Sequence, residues 1–333
     1  MAKNHRQGIT LRAVPPNPHA TPDMNLFIGA AFNAAILGLA TVVLGALFGR
    51  LHPLLDIFAH FLLPALVGAL VMALLAAFAG RTTSMLIFIG FALGNAALVW
   101  PWVQQPETQA TAGPRFTVMS FNVYYNNSKL GLIAESVREA KPDVVVLLEV
   151  IPRVRPDLDA VAALYPYRVE CWQERWCDAL VLSRFPLTDI RTTLPEPKFR
   201  RPMGAVELTI EGRKLTLFPA HLSLPFPLDR RGSQTGEIDE IVATIATVKG
   251  PRILAGDFNA SAWAATMAHP REQLNMSILT GGDGSWPTFL PRAMSIPIDH
   301  VLVTPELALM SRKLLTLPGS DHRAVLAEIA FKE

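Results

Sequence analysis

Residues 252–259 read RILAGDFN, an apolar, strand-forming run that stops at Gly256, Asp257, Phe258 and Asn259. A buried strand does not ordinarily finish in a carboxylate and a carboxamide, because an unpaired buried polar group costs several kcal/mol. The same kind of ending recurs through the last two-thirds of the chain. Ser120-Phe121-Asn122, Leu148-Glu149 and His221-Leu222-Ser223 come before it; Ile298-Asp299-His300 and Ser320-Asp321-His322 come after. Strand tips bearing Asn, Glu, Asp and His imply one shared polar site. That combination suits a hard divalent cation handling a phosphate.

Around these tips, hydrophobic alternation predicts strands at 116–122, 144–150, 167–171, 179–183, 205–210, 215–221, 252–255, 298–304, 310–317 and 324–330. Helical periodicity falls at 130–140, 154–164, 233–248 and 263–269. Strands outnumber helices, and the helices lie between strand groups. The pattern predicts an α/β fold of two mixed β-sheets packed face to face with helices outside, a four-layer α/β sandwich.

Half of the 333 residues are hydrophobic, and the excess is concentrated at 26–48, 54–79 and 84–102. Each stretch has the roughly 20 residues that cross about 30 Å of hydrocarbon as a helix. A secretory signal would supply one shorter apolar core and a cleavage site; a soluble bundle would carry amphipathic faces, whereas these segments are apolar all round. The expected organisation is a cytoplasmic tail (1–23), three transmembrane helices (24–103), a polar linker (104–114) and a catalytic domain (115–333). Gly45-x-x-x-Gly49 and Gly90-x-x-x-Gly94 have the spacing that lets membrane helices approach closely, and are expected to pack within the chain. Asp56 and His60, one turn apart near the start of the second span, read as an interfacial helix end rather than a proton path.

Lys3, Arg6 and Arg12 against Asp23 hold the N-terminal tail in the cytoplasm. Three crossings then put the catalytic domain outside it, in the periplasm of an inner-membrane, multi-pass protein. Arg81 agrees with this topology; Arg50 opposes it and would reverse it if it outweighed the tail. The two cysteines, Cys171 and Cys177, flank a short loop between strand-like runs. A hairpin there would bring the sulfurs together, and a bridge would contribute about 2 kcal/mol. An oxidising compartment favours the disulfide, and two free buried thiols are the alternative.

The chain carries 30 basic and 28 acidic residues, of which five and two lie in residues 1–103, leaving 25 and 26 beyond. A protein that grips nucleic acid without sequence preference usually has a basic excess, so the balance weighs against a nonspecific nuclease. Neither cysteine has a neighbouring His, and no covalent phospho-enzyme is indicated.

The ordered set of strand endings resembles the endonuclease/exonuclease/phosphatase superfamily, which includes DNase I-like and exonuclease III-like nucleases, inositol-polyphosphate 5-phosphatases and neutral sphingomyelinases. The resemblance spans about residues 115–331. It implies Glu149 as the principal Mg²⁺ ligand, with the Asn122 carbonyl oxygen and Asp321 completing the shell and Mn²⁺ able to substitute. It implies His322 as general base or phosphate-polarising imidazole, oriented by Asp299, and Asp257 as the residue that orients the attacking water. Asn259, Asn122 and His221 would hold phosphate oxygens. His300, where many members carry an aromatic residue, is expected to be structural.

The expected activity is Mg²⁺-dependent hydrolysis of a phosphodiester or phosphomonoester, with a phospholipid or lipid-linked headgroup as substrate, the bilayer as surroundings and no obligate protein partner. The domain is tethered close to the membrane, and LSLPFPL (222–228) beside His221 is apolar and proline-stiffened. Arg200-Arg201 and Arg230-Arg231 are further candidates for phosphate contacts. A membrane-anchored nuclease is the second reading, and an inactive scaffold the third.

Overall fold

The three apolar stretches form three helical spans in the computed structural model, which describes residues 24–103, 112–170, 178–190, 204–226 and 234–333. The first is α1 (Met24–Leu47). The second, Pro53–Phe78, runs through α2 (Pro53–Asp56), a 3₁₀ stretch (Ile57–Phe61) and α3 (Leu62–Phe78), and the third is α4 (Thr82–Val103). All three are long and apolar enough to cross a membrane. Pro53 opens α2 where a missing N–H costs nothing, and the His52 ring accepts the Leu54 amide at 3.1 Å. The spans alternate in direction: Arg81, between α3 and α4, donates to the Asn25 carbonyl at the start of α1. The 48–52 turn and the end of α4 therefore share the opposite end of the bundle, where the rest of the chain is seated.

Gly45 and Gly49 pack within the chain as expected; an added Cβ would come 2.4 Å from the Phe58 ring at Gly45 and 2.9 Å from Asp56 at Gly49. Gly90 and Gly94 do not, for nothing among the described residues lies within 4 Å of a Cβ built there. Their spacing permits close approach but does not supply a neighbour.

Beyond the spans, the strands form two six-stranded mixed sheets. The first contains β1 (Arg115–Asn122), β2 (Val144–Leu148), β3 (Tyr167–Glu170), β4 (Leu180–Ser183), β11 (Leu307–Thr316) and β12 (Arg323–Phe331), in the order β11-β12-β1-β2-β4-β3. The second contains β5 (Leu187–Asp189), β6 (Val206–Ile210), β7 (Arg213–His221), β8 (Arg252–Asp257), β9 (Ser277–Ile278) and β10 (Asp299–Val303), in the order β5-β6-β7-β8-β10-β9. Their inner faces meet in a core in which Val118, Val146 and Leu148 of one sheet face Leu217, Ile253 and Val301 of the other. Outside the first sheet, α5 (Ile133–Ala140) and α6 (Asp159–Ala162) cover Phe121, Val145 and Leu147. Outside the second, α7 (Gln234–Thr247) and α8 (Ala268–Leu274) lie over Phe218, Leu254 and Leu302, and Ala59 of the second span joins that cluster. This is the expected four-layer sandwich.

Topology places the polar tips together. Within each sheet one central pair is parallel, β1 with β2 and β7 with β8. Asn122 thus ends beside Leu148, and His221 beside Asp257. Strand β10 runs antiparallel to β8 and begins with Asp299 opposite Asp257. Gly256 permits this crowding, because a Cβ there would lie 1.7 Å from the Ala220 carbonyl oxygen.

Several boundaries differ from expectation. The second predicted strand ends at Leu148, since Glu149 takes a left-handed φ of 61°. The predicted 154–164 helix shrinks to a 3₁₀ turn (Pro156–Leu158) and α6, because Pro156 lacks the N–H of a helix interior. The helix expected at 263–269 begins later, as a 3₁₀ turn at Ala265–Met267 continuing into α8. The short strands β5 and β9 carry too few residues to show a period. Cys171, Cys177 and the two arginine pairs lie outside the described residues.

Candidate active site

Asp257 occupies the centre of the assembled tips. Its Oδ2 accepts a hydrogen bond from Asn122 Nδ2 (3.1 Å) and stands 3.8 Å from both His221 Nε2 and His322 Nε2. Each imidazole is held from behind by a carboxylate: His322 Nδ1 meets Asp299 Oδ2 at 2.9 Å, and His221 Nδ1 meets Asp178 Oδ2 at 2.7 Å. The arrangement is nearly symmetric, one carboxylate–imidazole pair on each flank of a central carboxylate. Anchoring Nδ1 fixes the ring orientation and aims Nε2 at the site.

Asn122 links the two sheets, its Nδ2 bridging Asp257 to Glu149 Oε1 at 3.0 Å. Its Oδ1, expected as a metal ligand, accepts the Tyr124 amide at 3.0 Å in an Asx turn. The amide nitrogen thus joins the two carboxylates, and the oxygen, which accepts one backbone N–H, keeps a second lone pair for the expected ligand role. Glu149 is held in its left-handed conformation, with Oε2 accepting the Tyr125 amide at 2.7 Å. Tyr124 and Asn259 also have positive φ, of 62° and 46°. Uncommon backbone of this kind collects at functional sites, where the surrounding structure over-determines it.

Two loops complete the rim. Asn259 lines the cavity; its backbone N–H donates to Asp257 Oδ1 (2.8 Å) and its side-chain Nδ2 to the Leu222 carbonyl (2.9 Å), tying the β8 loop to the β7 loop. Gln234 Nε2 reaches the carbonyls of Ser223, Phe258 and Asn259, and Glu237 accepts both the amide and hydroxyl of Ser223. On the other side, Asp321 Oδ2 accepts Trp286 Nε1 at 3.0 Å. Ser320 Oγ accepts the His322 amide and donates to the Asn122 carbonyl.

His300 points away from the cavity, as its position after Asp299 requires. It is fully buried against the Phe258 ring, with Nε2 at 2.9 Å from the Ala260 carbonyl, and burial lowers its pKa to about 4.

The electrostatics follow from burying several charges together. Burial, then the neighbouring Asp299 carboxylate, pushes the Asp257 pKa upward, while His322, His221 and the Asn259 amide pull it down. For His322 burial works against the charged ring, but Asp299 and Asp257 prevail and raise its pKa from 6.5 to about 10. His322 is thereby held as an imidazolium at neutral pH.

The donor set fits a hard divalent cation. Glu149, Asp257, Asp299 and Asp321 converge, and the Oδ1 atoms of Asp299 and Asp321 are buried without a hydrogen-bond partner among the described residues. Ligand atoms of Asp257, Asp299 and His322 lie within 4.8 Å of one another. His322 takes only Oδ2 of Asp299, so Asp299 and Asp321 each keep one unpartnered oxygen for a cation, beside Asp257 and Glu149, whose oxygens also accept protein donors.

The site opens into a cavity of about 530 Å³, within the range of small-ligand sites. Glu149, His221, Asp257 and His322 line its polar end; Ile57, His60 and Phe61 of the second span line another side. Asp56 and His60, expected at an interfacial helix end, sit near the start of the second span and bond the loop after β8. Asp56 accepts the amides of Ala265 (2.6 Å) and Thr266 (3.0 Å) and the Thr266 hydroxyl (3.0 Å), and His60 Nδ1 accepts the Ser261 amide at 3.1 Å.

The residues that sequence reasoning missed are Asp178, Gln234, Glu237 and Trp286. Asp178 had a signal, a carboxylate just ahead of the fully buried β4, whereas the others are ordinary in their local context.

A profile of the Endonuclease/Exonuclease/phosphatase family matches residues 119–322. No curated protein sequence matches. Among solved structures, D. rerio TDP2, described as complexed with single strand DNA product, is 19% identical, with a TM-score of 0.52 over 65% of this chain and 98% of that one. The endonuclease/exonuclease/phosphatase from Bacteroides vulgatus is 16% identical, with a TM-score of 0.52 over 66% and 100% of the two chains. A family protein from Leptotrichia buccalis C-1013-b is 14% identical, with a TM-score of 0.51 over 65% and 100%.

Proposed function

Because the chain belongs to the endonuclease/exonuclease/phosphatase family and is a phosphoester hydrolase of its metal-dependent type, we propose that it hydrolyses the phosphoester of a lipid or lipid-linked headgroup at a membrane surface. The observation that carries this reading is the seating of the site on the spans. Asp56 and His60 hydrogen-bond the 261–266 segment, which directly follows the tip bearing Asp257 and Asn259. The reacting centre is thereby held within a few residues of a helix apolar enough to cross the bilayer.

Glu149, Asp257 and Asp321 would hold the cation, Mg²⁺ or Mn²⁺, which supplies charge neutralisation of the phosphate and acidification of a water. Asp257 Oδ2 is placed to accept a proton from the attacking water and to orient it. His322, charged and aimed by Asp299, donates from Nε2 to a phosphate oxygen, stabilising charge that develops as the water oxygen bonds to phosphorus and the ester oxygen departs. His221, aimed by Asp178, donates from the opposite flank, and Asn122 Nδ2 adds a neutral donor between the carboxylates. A charged His322 favours the phosphate-polarising role over that of general base. On this reading the protein is a multi-pass inner-membrane enzyme with its site on the periplasmic side.

The test is Mg²⁺-dependent turnover of phospholipid vesicles and of single-stranded DNA by the full chain in nanodiscs. Lipid hydrolysis without DNA cleavage is expected; DNA cleavage alone would establish an anchored nuclease instead. Glu149→Gln should weaken Mg²⁺ binding at least tenfold by calorimetry while the protein stays folded. Unchanged affinity would remove Glu149 from the metal site.

A further inference from the structure

The polar end of the cavity accounts for only part of its lining. The remainder is apolar and comes from three separate places: Ile57 and Phe61 in the second span, Leu224, Pro225 and Phe226 in the loop after His221, and Ile296 ahead of β10. Phe61, Leu224 and Phe226 are 42%, 59% and 54% exposed. Large apolar side chains left open on the wall of a site mark a surface that something covers.

The charge of the lining selects among occupants. Among the described residues, the carboxylates and imidazoles that line the cavity are His60, Glu149, His221, Asp257, Asp321 and His322, most of them gathered at its polar end. The apolar wall also includes Ile57 and Phe61, part of a segment long and apolar enough to cross a membrane. An occupant with an anionic phosphate at one end and hydrocarbon at the other matches both ends of the cavity.

We propose that Ile57, Phe61, Leu224 and Phe226 form a binding subsite for one hydrocarbon chain of the substrate, so that the second membrane span contributes directly to substrate selection. This rests on the lipid-phosphoester reading and extends it by naming the residues that hold the tail. The phosphate lies between His221 and His322, and the chain runs from there along the span toward the bilayer. Selectivity then arises from buried methylenes, each adding up to about fourfold to kcat/KM when fully removed from water.

The test uses the full chain in nanodiscs with methyl, butyl and octyl 4-nitrophenyl phosphate, three diesters that differ only in chain length. The wild type is expected to show kcat/KM rising at least tenfold from methyl to octyl. Phe226→Ser, on the exposed loop, and Phe61→Ala, in the span, should each flatten that rise at least fivefold, lowering octyl turnover more than methyl turnover. A wild type indifferent to chain length would overturn the proposal, as would variants that lose methyl and octyl turnover equally. If none of the diesters turns over, calorimetry with methyl and octyl phosphate gives the same comparison, and equal affinities overturn the subsite. The broader reading fails separately: a chain-length preference without turnover of phospholipid vesicles would retain the subsite and refute a bilayer lipid as substrate.

Discussion

Asp257 sits where two imidazoles, a carboxamide and a second carboxylate meet, and its neighbours have little value without one another. Asp299 illustrates the dependence. Its carboxylate is the largest of the influences, ahead of Asp257, that raise the His322 pKa against the cost of burial. The folded-state pKa of about 10 lies above the ordinary 6.5. The stabilisation from this interaction is therefore complete below pH 6.5 and is lost as pH rises through about 10. Replacing Asp299 with Asn removes the charge that raises the pKa. The alkaline limb of the pH–rate profile should then move to lower pH, with kcat reduced on the order of 10²–10⁴-fold. Should the acidic limb move down instead, neutral His322 would be the working form and general base its role. Asp178→Asn is expected to lower kcat through His221 in the same way, since it touches the ring rather than the substrate.

At the scale of elements, the contact between the second span and the 261–266 loop decides how the site is built. The helix that begins at Ala265 has no cap of its own, because Ala264 offers no side-chain acceptor. Asp56 supplies that cap from a distant element, accepting the amides of Ala265 and Thr266. A lost helix cap typically costs about 0.5–2 kcal/mol. For a domain of this size each kcal/mol corresponds to roughly 2–4 °C in melting midpoint. Asp56→Ala in detergent should therefore melt several degrees lower, with activity impaired at temperatures where the wild type is intact. An unchanged midpoint would show that the span and the loop pack without this bond. Trp263 adds a second tie, its indole N–H donating to the Ala59 carbonyl. The loop after Asp257 is thus fastened at both ends of a short stretch.

At the scale of the whole molecule, the polar site lies at the seam of two sheets and at one end of three apolar helices. On the proposed topology, three helices long and apolar enough to cross a membrane, with a basic tail ahead of them, would put tail and catalytic domain on opposite faces. Reporter fusions at the N-terminus and after Glu333 should accordingly report cytoplasmic and extracytoplasmic locations. A cytoplasmic location at both ends would reduce the crossings to an even number and put the site in the cytoplasm.

Strand tips, spans and layers were legible in the sequence because each is a local pattern: period-two alternation stopped by a polar residue, or twenty apolar residues in a row. Asn122, Glu149, His221, Asp257, Asp299 and His322 could all be named from such endings, and the parallel β1–β2 and β7–β8 pairs bring them together. What the chain could not announce locally are relations between distant residues. Asp178 behind His221, Gln234 across three carbonyls, Trp286 on Asp321 and Asp56 capping Ala265 each depend on which surfaces meet. A hydrogen bond spanning 43 or 209 residues leaves no periodic trace. The orientation of the Asn122 amide is another such case, since a backbone N–H two residues away bonds its oxygen. The apolar wall of the cavity belongs with them. Ile57, Leu224 and Ile296 are ordinary hydrophobic residues in sequence, and only packing the spans against the catalytic domain turns them into one surface beside the polar end of the cavity.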